Sequence, residues 1–348
     1  MMKDTKQFFW QRLEQVARIP VVLLVFLACL APLVAQEDVE ESKEEISREE
    51  MHEKSIEKSR RERWTFPSTF ETDVTVMGIY PWGFVLEAGE SLEVPLLRGE
   101  NSLTAMNALK FRGGVKFTPI MLEADFKASF TPIAFLQVFA GGGIGSGWSF
   151  SKFHGFAKNI DGGDGKSKKI PINMKDFFFN TRFGLTFQFD LGAVLKHDWA
   201  HVVFLTDQGM KYFGAANMTS YDSWVYAEDY GESRNSWHYA SRYVLGYQMP
   251  IPLTFVGVQV EAEKKLYRQP ENKADWGDDL MYAYITPILV FRATKYLNIV
   301  VATQLFTRKN YEKSDDVFYE KNRIRKDGPA QRVEFKRFAV SCVFTLKH

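Results

Sequence analysis

Apolar and polar residues alternate through one long segment near the middle of the chain. Its mainly apolar row is Phe177, Phe179, Thr181, Phe183, Leu185, Phe187, Phe189, Leu191 and Ala193, and mainly polar or small residues fill the positions between. Such a period of two predicts a β-strand with one apolar and one polar face. A tilted strand needs roughly 9 to 11 residues to cross a bilayer, so this segment is long enough to span a membrane.

The same two-faced pattern recurs from Phe70 to the end of the chain. Leu109, Phe111 and Phe117, for example, oppose Lys110, Arg112 and Lys116. The pattern predicts twelve strands, at 69–80, 84–97, 106–118, 121–130, 133–147, 176–193, 198–207, 234–249, 252–267, 280–293, 296–309 and 332–347. An even number of antiparallel strands puts both ends of a barrel on the same rim.

The predicted connections between strands differ in length in a regular way. Short links at 131–132, 194–197, 250–251 and 294–295 alternate with long polar ones at 148–175, 208–233, 268–279 and 310–331. Short turns on one rim and long loops on the other are typical of membrane-spanning β-barrels.

A soluble β-sandwich is the alternative, because its strands also have one buried and one solvated face. Strands longer than the usual 5 to 6 residues and aromatic pairs near strand ends, which suit the membrane interface, favour a barrel. The pairs are Tyr80 with Trp82, Trp148 with Phe150, Trp237 with Tyr239, and Tyr282 with Tyr284. The predicted fold class is all-β: a single transmembrane antiparallel up-and-down β-barrel of about 12 strands.

The N-terminal region divides into two segments that precede the barrel. Residues 1–35 have a basic start, the apolar run Val21–Leu30 and small residues before Gln36, the pattern of a secretory signal peptide. Acylation of Cys29, as in a lipoprotein, is the less favoured alternative. Residues 36–66 are mostly charged, which predicts a periplasmic tether or helix. The barrel is assigned to residues 67–348.

Composition limits the partners of this chain. Lysine plus arginine number 44 and aspartate plus glutamate 43, so no net field favours nucleic acid. The chain contains 2 cysteines. Removal of the signal peptide would leave Cys342 alone, and the processed chain is then expected to lack an intramolecular disulfide.

In its signal peptide, its alternating strands and its last strand, Val333 to Lys347, the chain resembles bacterial outer-membrane β-barrel proteins as a class. The resemblance covers about Phe70 to His348 and indicates no particular family. It implies location in the outer membrane with both termini in the periplasm, contact with outer-membrane lipid, and assembly by the barrel-insertion machinery. Barrels commonly end on an aromatic residue that this machinery reads, whereas Leu346, Lys347 and His348 end this chain.

Three motifs suggest ligand binding or catalysis, but a structural role explains each of them better. Gly165-Lys166-Ser167 lacks the earlier glycine of a phosphate-binding loop. His197 and His201 have no third metal ligand nearby in sequence. Ser236 and His238 share a strand face, as nucleophile and base would, but the sequence identifies no residue to orient the histidine. The sequence therefore predicts no enzyme, no cofactor and no metal.

Charged residues of the polar rows are expected to face the lumen, because a charge on the lipid face costs roughly 2 to 4 kcal/mol near the membrane midplane. Two functions fit: a narrow aqueous channel for small polar or charged solutes, or a closed structural or adhesin-like barrel with a charge-paired lumen. A phospholipase-like enzyme and a transporter of hydrophobic substrates fit less well. The predicted lumen-lining residues are Lys110, Arg112, Lys116, Glu123, Asp125, Lys127, Arg182, Asp190, Arg242, Glu261, Glu263, Lys265, Arg308 and Arg337.

Overall fold

The computed structural model describes residues 69–81, 83–101, 103–151, 153–161, 167–195, 197, 199–227, 233–267, 280–310, 328–329 and 331–347. The predicted signal peptide and the charged segment 36–66 lie outside these residues, so the predicted domain boundaries stay predictions. Within the described ranges no helix is long and apolar enough to cross a membrane.

The described chain is built almost wholly from antiparallel strands, with one short helix, α1 (Gly192–Leu195). The strands are β1 (Thr69–Tyr80), β2 (Phe84–Pro95), β3 (Ala108–Thr118), β4 (Met121–Ile133), β5 (Leu136–Gly147), β6 (Ser149–Phe150), β7 (Phe153–His154), β8 (Phe156–Asp161), β9 (Ser167–Pro171), β10 (Phe178–Asp190), β11 (Val202–Ala215), β12 (Ser223–Tyr226), β13 (Ser236–Gln248), β14 (Leu253–Leu266), β15 (Tyr282–Arg292), β16 (Leu297–Lys309) and β17 (Gln331–Lys347).

Twelve of these strands close into a barrel, which confirms the predicted fold class. Around the wall the order is β1-β2-β3-β4-β5-β10-β11-β13-β14-β15-β16-β17, and pairing of β17 with β1 completes the ring. Closure leaves no barrel strand with an unpaired edge, which is the condition for a sheet that crosses lipid.

Two sequence predictions need correction at the level of single elements. The seventh strand was expected at 198–207, but β11 runs from Val202 to Ala215, because the alternation continues through Met210 and Tyr212 on one face and Lys211 and Phe213 on the other. The predicted connection 148–175 is not plain loop, because it contains β6, β7, β8 and β9.

The two rims differ in the length of their connections, though not at every position. The rim that holds the start of β1 and the end of β17, here called the terminal rim, has short turns at 134–135, 249–252 and 293–296. The opposite rim, here called the mouth, has the long segments 148–177, 216–235, 267–281 and 310–330. The sorting fails among the first four strands, where the mouth has the short turns 81–83 and 119–120 and the terminal rim has the longer 96–107. The terminal rim also has the longer connection 191–201, which contains α1.

The outer wall of the barrel is apolar. Its exposed large side chains include Val115, Phe126, Ile144, Phe183, Leu185, Leu245, Val258 and Phe335. Charged residues at the alternate positions of these strands, such as Arg112, Asp125 and Arg242, point to the other side, where Arg112 pairs with Asp125 and Arg242 pairs with Asp207. Lipid is the environment that such an exterior requires.

A pair of arginine substitutions on β14 tests this assignment of faces. Val258 points outward and is 42% exposed, whereas Gln259 points inward. Val258→Arg should impair barrel insertion by about 2–4 kcal/mol near the midplane, and Gln259→Arg should fold normally. Folding into lipid vesicles, followed by the heat-dependent gel shift, measures both. Equal folding of the two variants would show that the faces are wrongly assigned.

The outer face also has polar exceptions. Glu90 points outward, and its carboxylate accepts a hydrogen bond from the Thr72 hydroxyl at 2.7 Å. On β11 and β13 the Tyr239 hydroxyl donates to Gln208, which in turn donates to the Thr206 hydroxyl at 2.6 Å. These hydrogen bonds satisfy polar groups that would otherwise meet lipid unpaired.

The last strand places Cys342 on the outer face, as its alternation predicts. Cys342 packs with Leu297, Val76, Ile299 and Phe344 and is almost completely buried. It is disulfide-bonded in the full-length chain, and Cys29 lies outside the described residues. The expectation of no disulfide concerns the processed chain and stays a prediction.

The aromatic pairs near the strand ends lie on different faces. Trp237 lies on the outer wall, with its ring 6.0 Å from that of Phe183 and 5.3 Å from that of Tyr212. Tyr282 and Tyr284 instead face the lumen, and the interpretation of this pair as part of an interfacial girdle is wrong. Trp82 lies outside the described residues.

Candidate functional site

The candidate site is the inner face of the barrel together with the strands that cover its mouth. The alternation puts the predicted lumen-lining side chains on the inner face, where three groups and several scattered residues are described below. For Arg308 the structure describes the position in β16, opposite Arg332, but not the side chain.

Arg112 is the centre of an acidic group on β1 to β4. Its guanidinium lies 2.9 Å from Asp73, 2.8 Å from Glu87 and 3.6 Å from Asp125. One cation thus bridges three carboxylates that come from three different strands. Next to this group, Lys116 pairs with Glu123 on β4. Most charges on this side of the lumen are paired.

Around Lys127, by contrast, positive charges outnumber negative ones. Its ammonium lies over the Phe139 ring, 4.8 Å from the centroid, and within electrostatic range of Lys110, Arg182, Arg242 and Asp207. Arg242 is paired with Asp207, which also accepts a hydrogen bond from Thr186 at 2.6 Å. These four cations, Lys110, Lys127, Arg182 and Arg242, are called the basic cluster below. Among the described residues, Asp207 pairs with Arg242 and Glu261 lies opposite Arg242 on β14, so cations outnumber carboxylates here and the local field is positive.

Arg182 is the most accessible member of the basic cluster. It is exposed although it points into the barrel, and within the described part of the chain no carboxylate lies in ion-pair distance of it. Two neighbouring inward positions, 141 and 184, are glycines. At Gly184 an added Cβ would lie 2.9 Å from the Phe139 ring. The Phe139 ring therefore lies over Gly184 in the wall next to Arg182.

A third group lies on β11, β13 and β14 near the mouth. The Nδ1 atom of His238 is hydrogen-bonded to Glu263, and its Nε2 atom lies 2.9 Å from the Ser236 hydroxyl. Lys211 lies 3.1 Å from the other carboxylate oxygen of Glu263. His238 is 1% exposed and Ser236 is 6% exposed. The sequence did not identify Glu263 as the partner that orients His238, because 25 residues separate them.

The other predicted residues are spread along the lumen. The Lys265 ammonium lies 5.3 Å from the Tyr282 ring centroid. Arg337 lies within electrostatic range of Glu261 and Tyr284. Asp190 is close to the terminal rim, where it lies 2.7 Å from Nδ1 of His201 and accepts a hydrogen bond from the Gly192 amide. The sequence placed these residues in the polar rows of the strands but did not identify their partners.

A small sheet covers part of the mouth. It consists of β8, β9 and β12 and is here called the mouth sheet. Its Phe156 and Trp224 are fully buried against Phe178 and Phe213, two inward-pointing residues at the mouth ends of β10 and β11. Gly145 permits this packing, because an added Cβ would come within 2.5 Å of the Phe178 ring. The mouth sheet packs against the inside of the barrel wall.

Polar contacts fix the mouth sheet to the wall. The Tyr226 hydroxyl donates to Glu123 on β4 at 3.1 Å. The side chain of Asn235, immediately before β13, accepts from the Trp224 indole at 3.2 Å and from the Ala215 amide at 2.7 Å. These contacts join the sheet to three barrel strands.

An ion pair also links β8 of the mouth sheet to the residue that precedes β12. Lys158 on β8 lies 3.0 Å from Asp222, which precedes β12. Burial acts to raise the pKa of Asp222, but hydrogen bonds from Thr219 and Lys158 outweigh it and lower that pKa. The stabilisation is therefore present at neutral pH and is lost as the pH falls through the lowered pKa.

The two histidines that suggested metal chemistry have separate partners. His201 is bonded to Asp190, while His197 accepts a hydrogen bond from the Trp199 amide at 3.1 Å. Among the described residues no group of three or more His, Cys, Asp and Glu side chains could hold a metal. Gly165 and Lys166 lie outside the described residues.

No family model matches the chain, and no curated protein matches it. Among solved structures, OmpT, an outer membrane protein of Vibrio cholerae in trimer form, is 9% identical, with a TM-score of 0.35 over 81% of this chain and 99% of that chain. The NanC porin is 9% identical, with a TM-score of 0.37 over 79% and 100%.

The translocator domain of the autotransporter NalP from Neisseria meningitidis is 8% identical, with a TM-score of 0.32 over 86% of this chain and 97% of that chain. Likeness at this level of identity bears on neither substrate nor mechanism. In architecture, the predicted resemblance to bacterial outer-membrane β-barrels is confirmed by the closed ring of twelve antiparallel strands.

Proposed function

We propose that this chain forms a narrow aqueous channel in the bacterial outer membrane that prefers small anionic solutes. The observation that carries the proposal is Arg182, an exposed guanidinium inside the barrel, beside Lys127, Lys110 and Arg242. A fixed positive field inside a low-dielectric wall raises the local concentration of anions. Recognition is by charge, and the chemistry of the solute beyond its charge is left open.

Water-accessible space inside the barrel supports a channel. The inward side chains of Arg242 and Lys116 keep 40% and 31% of their surface accessible. Side chains that filled the lumen would lose most of this surface. Space next to the basic cluster gives anions a path along its charged groups.

The proposed orientation has the terminal rim in the periplasm and the mouth outside the cell. The start of β1 and the end of β17 share one rim, and the longest connections lie at the other. Outer-membrane lipid contacts the apolar outer wall, and the barrel-insertion machinery assembles the chain. These partners follow from the proposed location.

Reversal of the charge at Arg182 tests the channel. Arg182→Glu should shift the selectivity of the refolded barrel toward cations, because it replaces the most exposed positive charge of the basic cluster by a negative one. The reversal potential under a salt gradient in a planar bilayer measures this shift. Arg182→Lys is the matched control and should keep the preference of the wild type.

The competing function is a closed structural barrel with a charge-paired lumen, which the ion pairs of Arg112, Lys116 and Lys211 favour. In that case wild type and Arg182→Glu would pass no steady current. The substitution would then lower the temperature of the heat-dependent gel shift, because it adds a carboxylate to a filled interior. Silent bilayers together with this loss of thermal resistance would overturn the channel proposal.

A further inference from the structure

The Ser236, His238 and Glu263 side chains have the arrangement of a nucleophile, a base and an orienting carboxylate. The Ser236 hydroxyl lies 2.9 Å from Nε2 of His238, and Nδ1 of the same ring is hydrogen-bonded to Glu263. The carbonyl of Arg234, at 3.5 Å, is a more distant partner for this hydroxyl. Ser236 and His238 share the inner face of β13, and β14 supplies the carboxylate, which lies opposite Ala240 and diagonal to His238, while Lys265 lies directly opposite His238.

The hydrogen bond to Glu263 fixes the proton on Nδ1 and leaves Nε2 free to accept a proton from Ser236. Lys211, 3.1 Å from Glu263, keeps the carboxylate charged. The imidazole ring is bounded by aromatic edges, with ring centroids of Phe213 and Tyr267 at 6.3 Å and 6.2 Å. Side chains from three strands thus hold the base in one orientation, away from bulk water.

We propose that these residues form a hydrolytic site for carboxylic esters, with Ser236 as nucleophile. The Ser236 oxygen attacks the ester carbonyl carbon while its proton passes to Nε2 of His238. The alcohol then leaves with that proton, and an acyl group stays bound to Ser236. Water attacks the acyl carbon in the second half, again with His238 as base, and releases the acid and the free serine. Glu263 acts as a positioning residue.

The mouth sheet controls access to this site. Ser236 is the first residue of β13 and directly follows Asn235. The Asn235 side chain accepts hydrogen bonds from the indole of Trp224 and from the amide of Ala215 at the end of β11. Phe213, which contacts His238, is also the residue on which Trp224 packs. A displaced mouth sheet would therefore uncover Ser236 toward the mouth, and the site is expected to react slowly in the closed arrangement.

A fluorophosphonate probe reports directly on an activated serine. Phosphorylation forms a bond from the Ser236 oxygen to phosphorus and releases fluoride, and the serine proton passes to His238. The refolded full-length wild type should be labelled slowly, and Trp224→Ala at least tenfold faster. Ser236→Ala and His238→Ala, each combined with Trp224→Ala, should lose the labelling. Ser241→Ala, an outward-facing serine of the same strand, is the matched control and should leave it unchanged.

The role of Glu263 is tested in the same assay. Glu263→Ala should slow labelling at least tenfold in the Trp224→Ala background, and Glu263→Asp should recover part of the rate. Intact folding of each variant is checked by the heat-dependent gel shift. A purely structural network predicts no labelling of folded wild type or folded Trp224→Ala, and that result would overturn the proposal. Labelling that persists in Ser236→Ala would overturn it as well.

Discussion

The Trp224→Ala variant should conduct several-fold more current than the wild type. Trp224 is fully buried between Phe156 and Phe213, where it fastens the mouth sheet to the barrel wall. Truncation of a buried tryptophan typically costs about 3–5 kcal/mol. The closed barrel does not depend on this contact, so the loss falls on the mouth sheet and the mouth widens.

Single-channel conductance of refolded protein measures this effect, and the gel shift confirms that the barrel is intact. Phe150→Ala is the matched control, because Phe150 lies in the neighbouring β6–β7 hairpin and is largely exposed. It should conduct like the wild type. If Trp224→Ala and wild type conduct equally, the mouth sheet does not limit the current, and the narrowest part of the channel lies deeper in the lumen.

The strands and their faces could be read from the sequence because alternation is a local signal. Leu109 to Phe117 and Phe183 to Phe189 show the lipid-facing row directly, since most outward positions must be apolar whatever their neighbours are. The same constraint assigned residues such as Arg112, Arg182 and Glu263 to the lumen. The strands and their two faces were therefore the features that the sequence predicted most directly, because the membrane requires an apolar outer wall.

The partners of the lumen residues could not be read in this way. Arg112 and Asp73 are 39 positions apart in the chain, and His238 and Glu263 are 25 apart. Their contacts depend on the register of neighbouring strands, which the alternation leaves open to shifts of two residues. The sequence therefore placed a serine and a histidine on one face of β13, but it did not identify the carboxylate of Glu263, which β14 brings beside them.

The mouth sheet had one sequence signal, which is visible in retrospect. Phe178 is an aromatic residue in a row of β10 that is otherwise polar or small, and Phe213 follows Asp207, Gly209 and Lys211 in the inward row of β11. Both lie at the mouth ends of their strands. An aromatic residue that points into an aqueous lumen needs an apolar partner. Loop residues Phe156 and Trp224 supply it. Breaks in the polar row at a strand end therefore indicate loops that fold inward.

Replacement of Arg112 by methionine should destabilise the barrel at neutral pH. Asp73, Glu87 and Asp125 would then face one another without the guanidinium that now bridges them. Removal of one partner from a fully buried ion pair costs roughly 3–5 kcal/mol. These side chains are partly exposed to lumen water, which screens their charges, so the expected loss is about 1–3 kcal/mol.

The pH dependence identifies the cause of this loss. Carboxyl groups that have taken up protons no longer repel one another, so the deficit of Arg112→Met relative to wild type should be smaller in acid than at neutral pH. Urea unfolding in lipid vesicles at several pH values measures the difference. Arg112→Lys, which keeps the charge but loses the two-pronged geometry, should show a smaller deficit. A deficit that is equal at all pH values would mean that Arg112 acts through packing alone.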